Sequence, residues 1–211
     1  MNKNMEKILI LAPHTDDGEL GCGGSIARFI EEGKDVHYAA FSTAEESIEH
    51  GLPKNILEIE VKNATKKLGI KRDNLFIYNN EVRKLSYIRQ EILEELILLK
   101  KKINPNIIFM PTINDIHQDH YTVAQEGLRA FKDRTILGYE LIWNNISFNT
   151  TSFITLEKKH IQAKADALKE YKSQNSRAYM SQEFIFSLAK SRGVQIGADY
   201  AECFEIMRWV M

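Results

Sequence analysis

Residues 8–24 read ILILAPHTDDGELGCGG. The five apolar residues Ile8 to Ala12 are closed by Pro13. So short a run suits a strand, and its lack of polar alternation marks one covered on both faces, as in a parallel sheet. A histidine, two aspartates, a glutamate and four glycines come next, within eleven residues. In open α/β sheets ligands sit beyond the carboxyl ends of the strands, so the segment after this strand is the first place to look for chemistry.

Outward from this stretch, apolar runs and helical patterns alternate. Ile26 to Gly33 is predicted as a helix closed by its glycine, and Asp35 to Ser42 as a second strand. Ile56 to Leu68 has helical spacing and stops at Gly69, and Asn74 to Tyr78 is a third strand. Ile88 to Ile103 is the clearest amphipathic helix, ended by Asn104-Pro105. Ile107 to Met110 is a buried strand before Pro111, Asp119 to Phe131 is helical, and Ile136 to Ile142 is a strand. The last third is less regular, with helices at Glu157–Tyr171 and Gln182–Arg192 and a closing strand at Cys203–Val210. The alternation predicts an α/β fold, a mainly parallel central sheet with helices on both faces. No linker or internal repeat divides residues 1–211, which read as a single domain.

Composition narrows the classes further. Hydrophobic residues make up 44% and charged residues 27% of 211 residues, which excludes disordered and fibrous chains. The net charge of −1 removes the basic excess expected of a nucleic-acid binder and favours a small, uncharged substrate. Two cysteines, Cys22 and Cys203, make neither a disulfide framework nor a thiolate zinc site. The N-terminus, Met1 to Lys7, is polar, and no apolar stretch has the length of a membrane span. The expectation is a cytoplasmic protein without membrane or nucleic-acid partners, and composition leaves room for a homo-oligomer.

Half of the six histidines, His14, His117 and His120, lie just after the first and fourth strands, each beside carboxylates. His14 and Asp17 are three apart, as are His117 and His120, so each pair can face one point. A catalytic zinc takes three His or carboxylate ligands and keeps one position for water. Nitrogen and oxygen donors suit zinc first, with iron(II), cobalt and manganese also accommodated. Cys22 is a weaker ligand candidate and reads as a buried structural cysteine. Gly21, Gly23 and Gly24 lack both the G-x-G-x-x-G fingerprint and a P-loop lysine. Close packing of a helix on the sheet is the preferred reading, and a phosphate cradle is the alternative.

These residues resemble the signatures of the LmbE-like, or PIG-L, family of zinc-dependent N-acetylglucosaminyl deacetylases. Residues 13–24 are similar to the family's His-Pro-Asp-Asp motif with its later Glu and glycine cluster, and residues 117–120 to its His-x-Asp-His motif. Weaker likenesses run from Ala163-Lys164 to Ser173-Gln174 and along Ala201 to Ile206. Thr15 stands where the family usually has proline, Gly18 where many members have an acid, and residues 42–47 lack a common Gly-Glu-x-Gly stretch.

The resemblance implies a Rossmann-like three-layer sandwich that removes an N-acetyl group from an amino-sugar molecule or conjugate. It implies His14, Asp17 and His120 as zinc ligands, Asp16 as general base, and Asp119 as support for a histidine. His117, protonated, would share the oxyanion or act as acid, and Asp16 or His117 would protonate the leaving amine. Arg83 is the candidate substrate-binding residue; Tyr139, Glu140, Trp143, Arg177 and Tyr179 are further candidates. The competing readings are a metal-dependent amidase of a larger sugar conjugate, a non-catalytic nucleotide- or phosphate-binding protein, and a metal-binding protein without turnover.

Overall fold

The computed structural model describes residues 6–48 and 51–211. The polar N-terminal stretch noted above therefore lies mostly outside the described residues. Strands are β1 (Lys7–His14), β2 (Asp35–Ser42), β3 (Leu75–Ile77), β4 (Ile107–Pro111), β5 (Thr135–Tyr139), β6 (Ser152–Leu156) and β7 (Tyr200–Arg208). Helices are α1 (Asp17–Glu31), α2 (Ile56–Leu68), α3 (Arg89–Ile103), α4 (Gln118–Ala130), α5 (Lys158–Leu168) and α6 (Gln182–Val194).

One seven-stranded sheet has the order β3-β2-β1-β4-β5-β7-β6. The first five of these run parallel to one another, and β7 runs antiparallel to both β5 and β6. β1 is central, and Ile8 to Ala12 are fully buried. Its side chains alternate between two cores: Ile8, Ile10 and Ala12 meet the α1 and α2 side, while Leu9 and Leu11 meet α3 and α4. This is the α/β/α layering that the alternating pattern predicts. Among the described residues no helix is long and apolar enough to cross a membrane.

Several expected boundaries agree with the structure. β2 runs Asp35–Ser42, and α2 stops where Gly69 takes φ +90°, the left-handed cap that glycine adopts without strain. Other expectations need correction. α1 begins at Asp17 rather than at Ile26, so the glycines lie inside a helix. β5 ends at Tyr139 and β7 at Arg208, short of the expected limits. β6 has no counterpart in the sequence reading. It is an edge strand, half exposed and paired only to β7, so its hydrophobic alternation is weak.

Candidate active site

β1 and β4 are neighbours, but the chain leaves them in opposite directions, to β2 and β3 on one side and to β5 on the other. Their carboxyl ends therefore form the crevice where doubly wound sheets take ligands. β1 delivers His14, the first turn of α1 delivers Asp17, and α4 delivers His117 and His120. The two halves, up to 106 positions apart in sequence, meet there.

Hydrogen bonds decide which face of each ring looks inward. His14 Nε2 donates to Asp119 Oδ2 at 3.1 Å, which leaves the Nδ1 lone pair free. His120 Nδ1 donates to Asp115 Oδ2 at 2.8 Å, which leaves the Nε2 lone pair free. His14 Nδ1 lies 3.1 Å from His120 Nε2 and 3.1 Å from Asp17 Oδ2, and His120 Nε2 lies 3.2 Å from the same Asp17 oxygen. Two ring lone pairs at that distance repel unless a proton or a cation lies between them. Three donors on one tetrahedral zinc stand roughly 3.3 Å apart, given bonds of about 2.0 Å. The triangle thus fits a divalent ion, and the carboxylates behind both histidines are the usual partners of metal-binding imidazoles.

The titration of these groups follows from the same contacts. Burial disfavours a charged His120, but the Asp17 and Asp115 carboxylates outweigh it and push the ring up to about 10. Burial also opposes the shift of His14, which Asp17 and Asp119 raise. Asp17, although buried, is held well below the usual carboxylate range by His120 and His14. Asp16 is half-buried beside the triangle; burial and the Asp17 charge push its carboxyl up to about 6, against His14, its own backbone and Arg177.

His117 caps α4: its Nδ1 accepts the Asp119 backbone N–H at 3.2 Å. A neutral ring in that position carries its proton on Nε2. Burial, with His120 and His14 nearby, pushes the ring down to about 4, which favours a neutral ring that donates through Nε2–H over the protonated His117 that the resemblance implies. A nitrogen of His117 also comes within 4.8 Å of those of His14 and His120. The triangle with Asp17 is tighter, and one His117 nitrogen is already spent on the helix cap.

The family model described as PIG-L, GlcNAc-PI de-N-acetylase, matches residues 9–131, more than half of the chain. The chain belongs to the PIG-L family. The uncharacterized deacetylase YaiS of Escherichia coli (strain K12) is 29% identical over 171 residues, covering 79% of this chain and 90% of YaiS. A diacetylchitobiose deacetylase from Thermococcus kodakarensis is 29% identical over 136 residues, 60% of this chain and 49% of that protein. The crystal structure of the conserved protein TT1542 from Thermus thermophilus superposes with a TM-score of 0.83 at 26% identity, over 98% of this chain and 97% of that one.

In this PIG-L chain the support beneath the triangle comes from Asp119, which the resemblance implies as a histidine's support, and from residues that local sequence reading passed over. Asp115 orients His120 and also accepts the His117 N–H at 2.8 Å through its other oxygen. Its one sequence signal is its place beside the His-x-Asp-His motif. Asp119 accepts backbone N–H groups from Arg83 at 2.5 Å and Leu85 at 3.2 Å, tying the loop after β3 to the site.

The Thr15 carbonyl is held by the hydroxyls of Tyr38, at 2.8 Å, and Tyr171, at 2.7 Å. Both hydroxyls also contact the buried Glu19. Two hydroxyl protons cannot serve all four contacts, and a neutral Glu19 carboxyl adds one more donor. Burial pushes Glu19 up to about 8, against the tyrosine hydrogen bonds.

Helix α1 is broken at Cys22 (φ −147°, ψ 24°). The orphaned groups at the break are satisfied from far away. Lys164 Nζ donates to the Leu20 carbonyl at 2.6 Å, and Glu202 accepts from Gly24 N at 3.0 Å, Ser25 N at 2.7 Å and Ser25 Oγ at 2.6 Å. Lys164 and Glu202 pair at 2.7 Å. The late likenesses at Ala163-Lys164 and Ala201-Glu202 are thus parts of one buried splice. A Cβ on Gly18 would fall 2.5 Å from the Tyr38 ring, and one on Gly23 2.9 Å from Lys164. The glycines serve close packing and leave no open phosphate cradle. Cys22 is fully buried, donates to the Gly18 carbonyl at 3.2 Å, and burial raises its thiol.

The cleft over the triangle has a volume of about 290 Å³ and is lined by Asp16, His117, Arg83, Trp143, Arg177 and Tyr179 among others. Two expected sugar contacts are elsewhere. Tyr139 is buried, with its hydroxyl donating to the Leu11 carbonyl at 2.9 Å. Glu140 pairs with Arg192, whose Nε donates to it at 3.0 Å.

Proposed function

We propose that residues 1–211 form a single-domain, metal-dependent N-deacetylase that hydrolyses the N-acetyl group of a small amino-sugar compound. The observation that carries this reading is the donor triangle of His14, Asp17 and His120 with a partnerless carboxylate beside it. Among the described residues Asp16 makes no side-chain hydrogen bond to another residue, and it faces the cleft. A divalent ion held by the triangle, zinc first among the candidates, makes water more acidic and polarises an amide carbonyl.

The chain supplies the remaining groups. Asp16 accepts the proton of the attacking water. Nε2–H of His117 donates to the amide oxygen as negative charge gathers there, an interaction of about 2.7–4 kcal/mol. As the C–N bond breaks, Asp16 passes its proton to the amine; the neutral His117 has none to spare without giving up its donor role. Asp119 and Asp115 hold the two ligand histidines in the tautomers that aim their lone pairs inward.

The test is metal analysis together with acetate release from a panel of N-acetylated sugars and larger N-acyl conjugates, with and without chelator. Asp16→Asn is expected to keep its metal and lose turnover by about 10²–10⁴-fold. A variant with near-normal kcat refutes the assignment of Asp16. Protein that takes up no zinc and releases no acetate refutes the reading as a whole. Turnover confined to the larger conjugates would favour the amidase of sugar conjugates instead.

A further inference from the structure

We infer that the substrate carries an anionic group, a phosphate or a carboxylate, away from its acetamide, and that Arg83 and Arg177 bind it. This rests on the deacetylase reading above and extends it to substrate class. Five arginines pair with carboxylates: Arg28 with Glu32, Arg89 and Arg129 with Glu126, Arg134 with Asp133, and Arg192 with Glu140. Arg72, Arg83, Arg177 and Arg208 have no carboxylate partner among the described residues, and of these Arg83 and Arg177 line the cleft.

Arg177 is held by its side chain and Arg83 by its backbone. Arg177 Nη1 donates to the Tyr179 hydroxyl at 2.5 Å, and its guanidinium lies 5.8 Å from the Tyr179 ring centroid. Tyr179 stacks on Trp143 at 3.9 Å and 10°. That bond uses one of five guanidinium N–H groups, so most of the fork is left for a ligand. Arg83 has φ +66°, uncommon for a residue with a side chain, and its N–H is taken by Asp119, the carboxylate that also orients His14.

Charge gives the reason for the pair. Asp16 and Asp17 sit at the base of the cleft and would repel an approaching anion. Arg177 lies within electrostatic reach of both. Both arginines are exposed and so stand at the rim, where they would meet the end of a substrate whose acetamide lies at Asp16. Sugar hydroxyls need no formal charge for recognition, whereas the planar guanidinium fork matches phosphate and carboxylate oxygens. The near-zero net charge of the chain, which favoured an uncharged substrate, is a sum over the whole surface and conceals this local pair.

The zinc-loaded protein is assayed on N-acetylglucosamine, its 1- and 6-phosphates, and an N-acetylhexosaminuronic acid. Binding of glucosamine 6-phosphate, glucuronate, inorganic phosphate and neutral glucosamine is measured in parallel by calorimetry on chelator-treated protein. At least one charged substrate is expected to exceed the neutral one in kcat/KM by about tenfold or more, mainly through KM, the worth of one charge-assisted hydrogen bond. The better of the phosphate and carboxylate arms names the anion. Arg83→Ala and Arg177→Ala should each erase most of that preference, lowering kcat/KM for the charged substrate far more than for the neutral one.

Equal turnover of neutral and charged sugars, or variants that weaken both alike, overturns the inference. Charged ligands that bind wild type and fail to bind either variant, with none of the N-acetylated sugars hydrolysed, would uphold the anion site while refuting the deacetylase reading.

Discussion

Asp115 tests how the site is organised, because no local sequence feature assigns it a role. Its carboxylate side chain is 1% exposed and takes two hydrogen bonds, one per oxygen. Oδ1 accepts the His117 backbone N–H and Oδ2 accepts His120 Nδ1–H, each at 2.8 Å. Asparagine has the same shape but only one acceptor oxygen. The backbone N–H cannot change character, so the amide oxygen of Asp115→Asn should remain with His117 and turn its NH2 group toward His120. Two donors would then face each other. The ring relieves this by moving its proton to Nε2, which removes the lone pair from the donor triangle.

Loss of such a supporting carboxylate costs about 10–100-fold in metal affinity. That corresponds to roughly 1.4–2.8 kcal/mol. The assay is competition for zinc against a chromophoric chelator at constant pH, with circular dichroism to verify the fold. Asp115→Ala removes the acceptor without introducing a donor, so the conservative asparagine should be at least as damaging to metal affinity as alanine. If Asp115→Asn folds normally and binds zinc within about twofold of wild type, carboxylate control of the His120 tautomer is refuted.

Two further predictions concern stability. Lys164→Met leaves the Glu202 carboxylate buried without its cation and the Leu20 carbonyl unpaired. The expected loss is about 3–5 kcal/mol, or roughly 6–20 °C in Tm for a chain of this size. A loss below about 1 kcal/mol in urea unfolding would show that the break in α1 does not depend on this pair. Glu19 has a folded pKa raised from 4.5 to about 8. The native state then binds more protons than the unfolded state between those values, so this contribution is full below pH 4.5 and is lost as pH rises through about 8. Glu19→Gln should remove that slope, worth at most about 5 kcal/mol, and parallel stability profiles of variant and wild type from pH 5 to pH 8 would contradict the neutral buried carboxyl.

Much of the framework was legible along the chain because its signals are local. The run from Ile8 to Ala12 has one stable place, between two layers of helices. The helical spacing that ends at Gly69 announces its own stop, since glycine accepts the left-handed cap. The histidines and aspartates after β1 and before α4 could be singled out because strand ends in this architecture face ligands. β6 escaped notice because an edge strand buries too little of itself to leave a clear alternation.

The residues themselves determined the α/β class, the central strand and the candidate donors His14, Asp17 and His120. The tertiary structure decided how those donors are aimed. Asp119 and Asp115 set the two imidazole tautomers, and His117 gives one nitrogen to a helix cap. It also decided that α1 starts at Asp17, nine residues before the Ile26 that the apolar spacing suggests, because Lys164 and Glu202 satisfy a break 144 to 178 positions away. Helical and strand periodicity depends on side chains a few positions apart and can be read in order. A buried polar group is satisfied by whichever partner the packed chain brings within hydrogen-bonding distance, and that partner is fixed only when the layers close on one another.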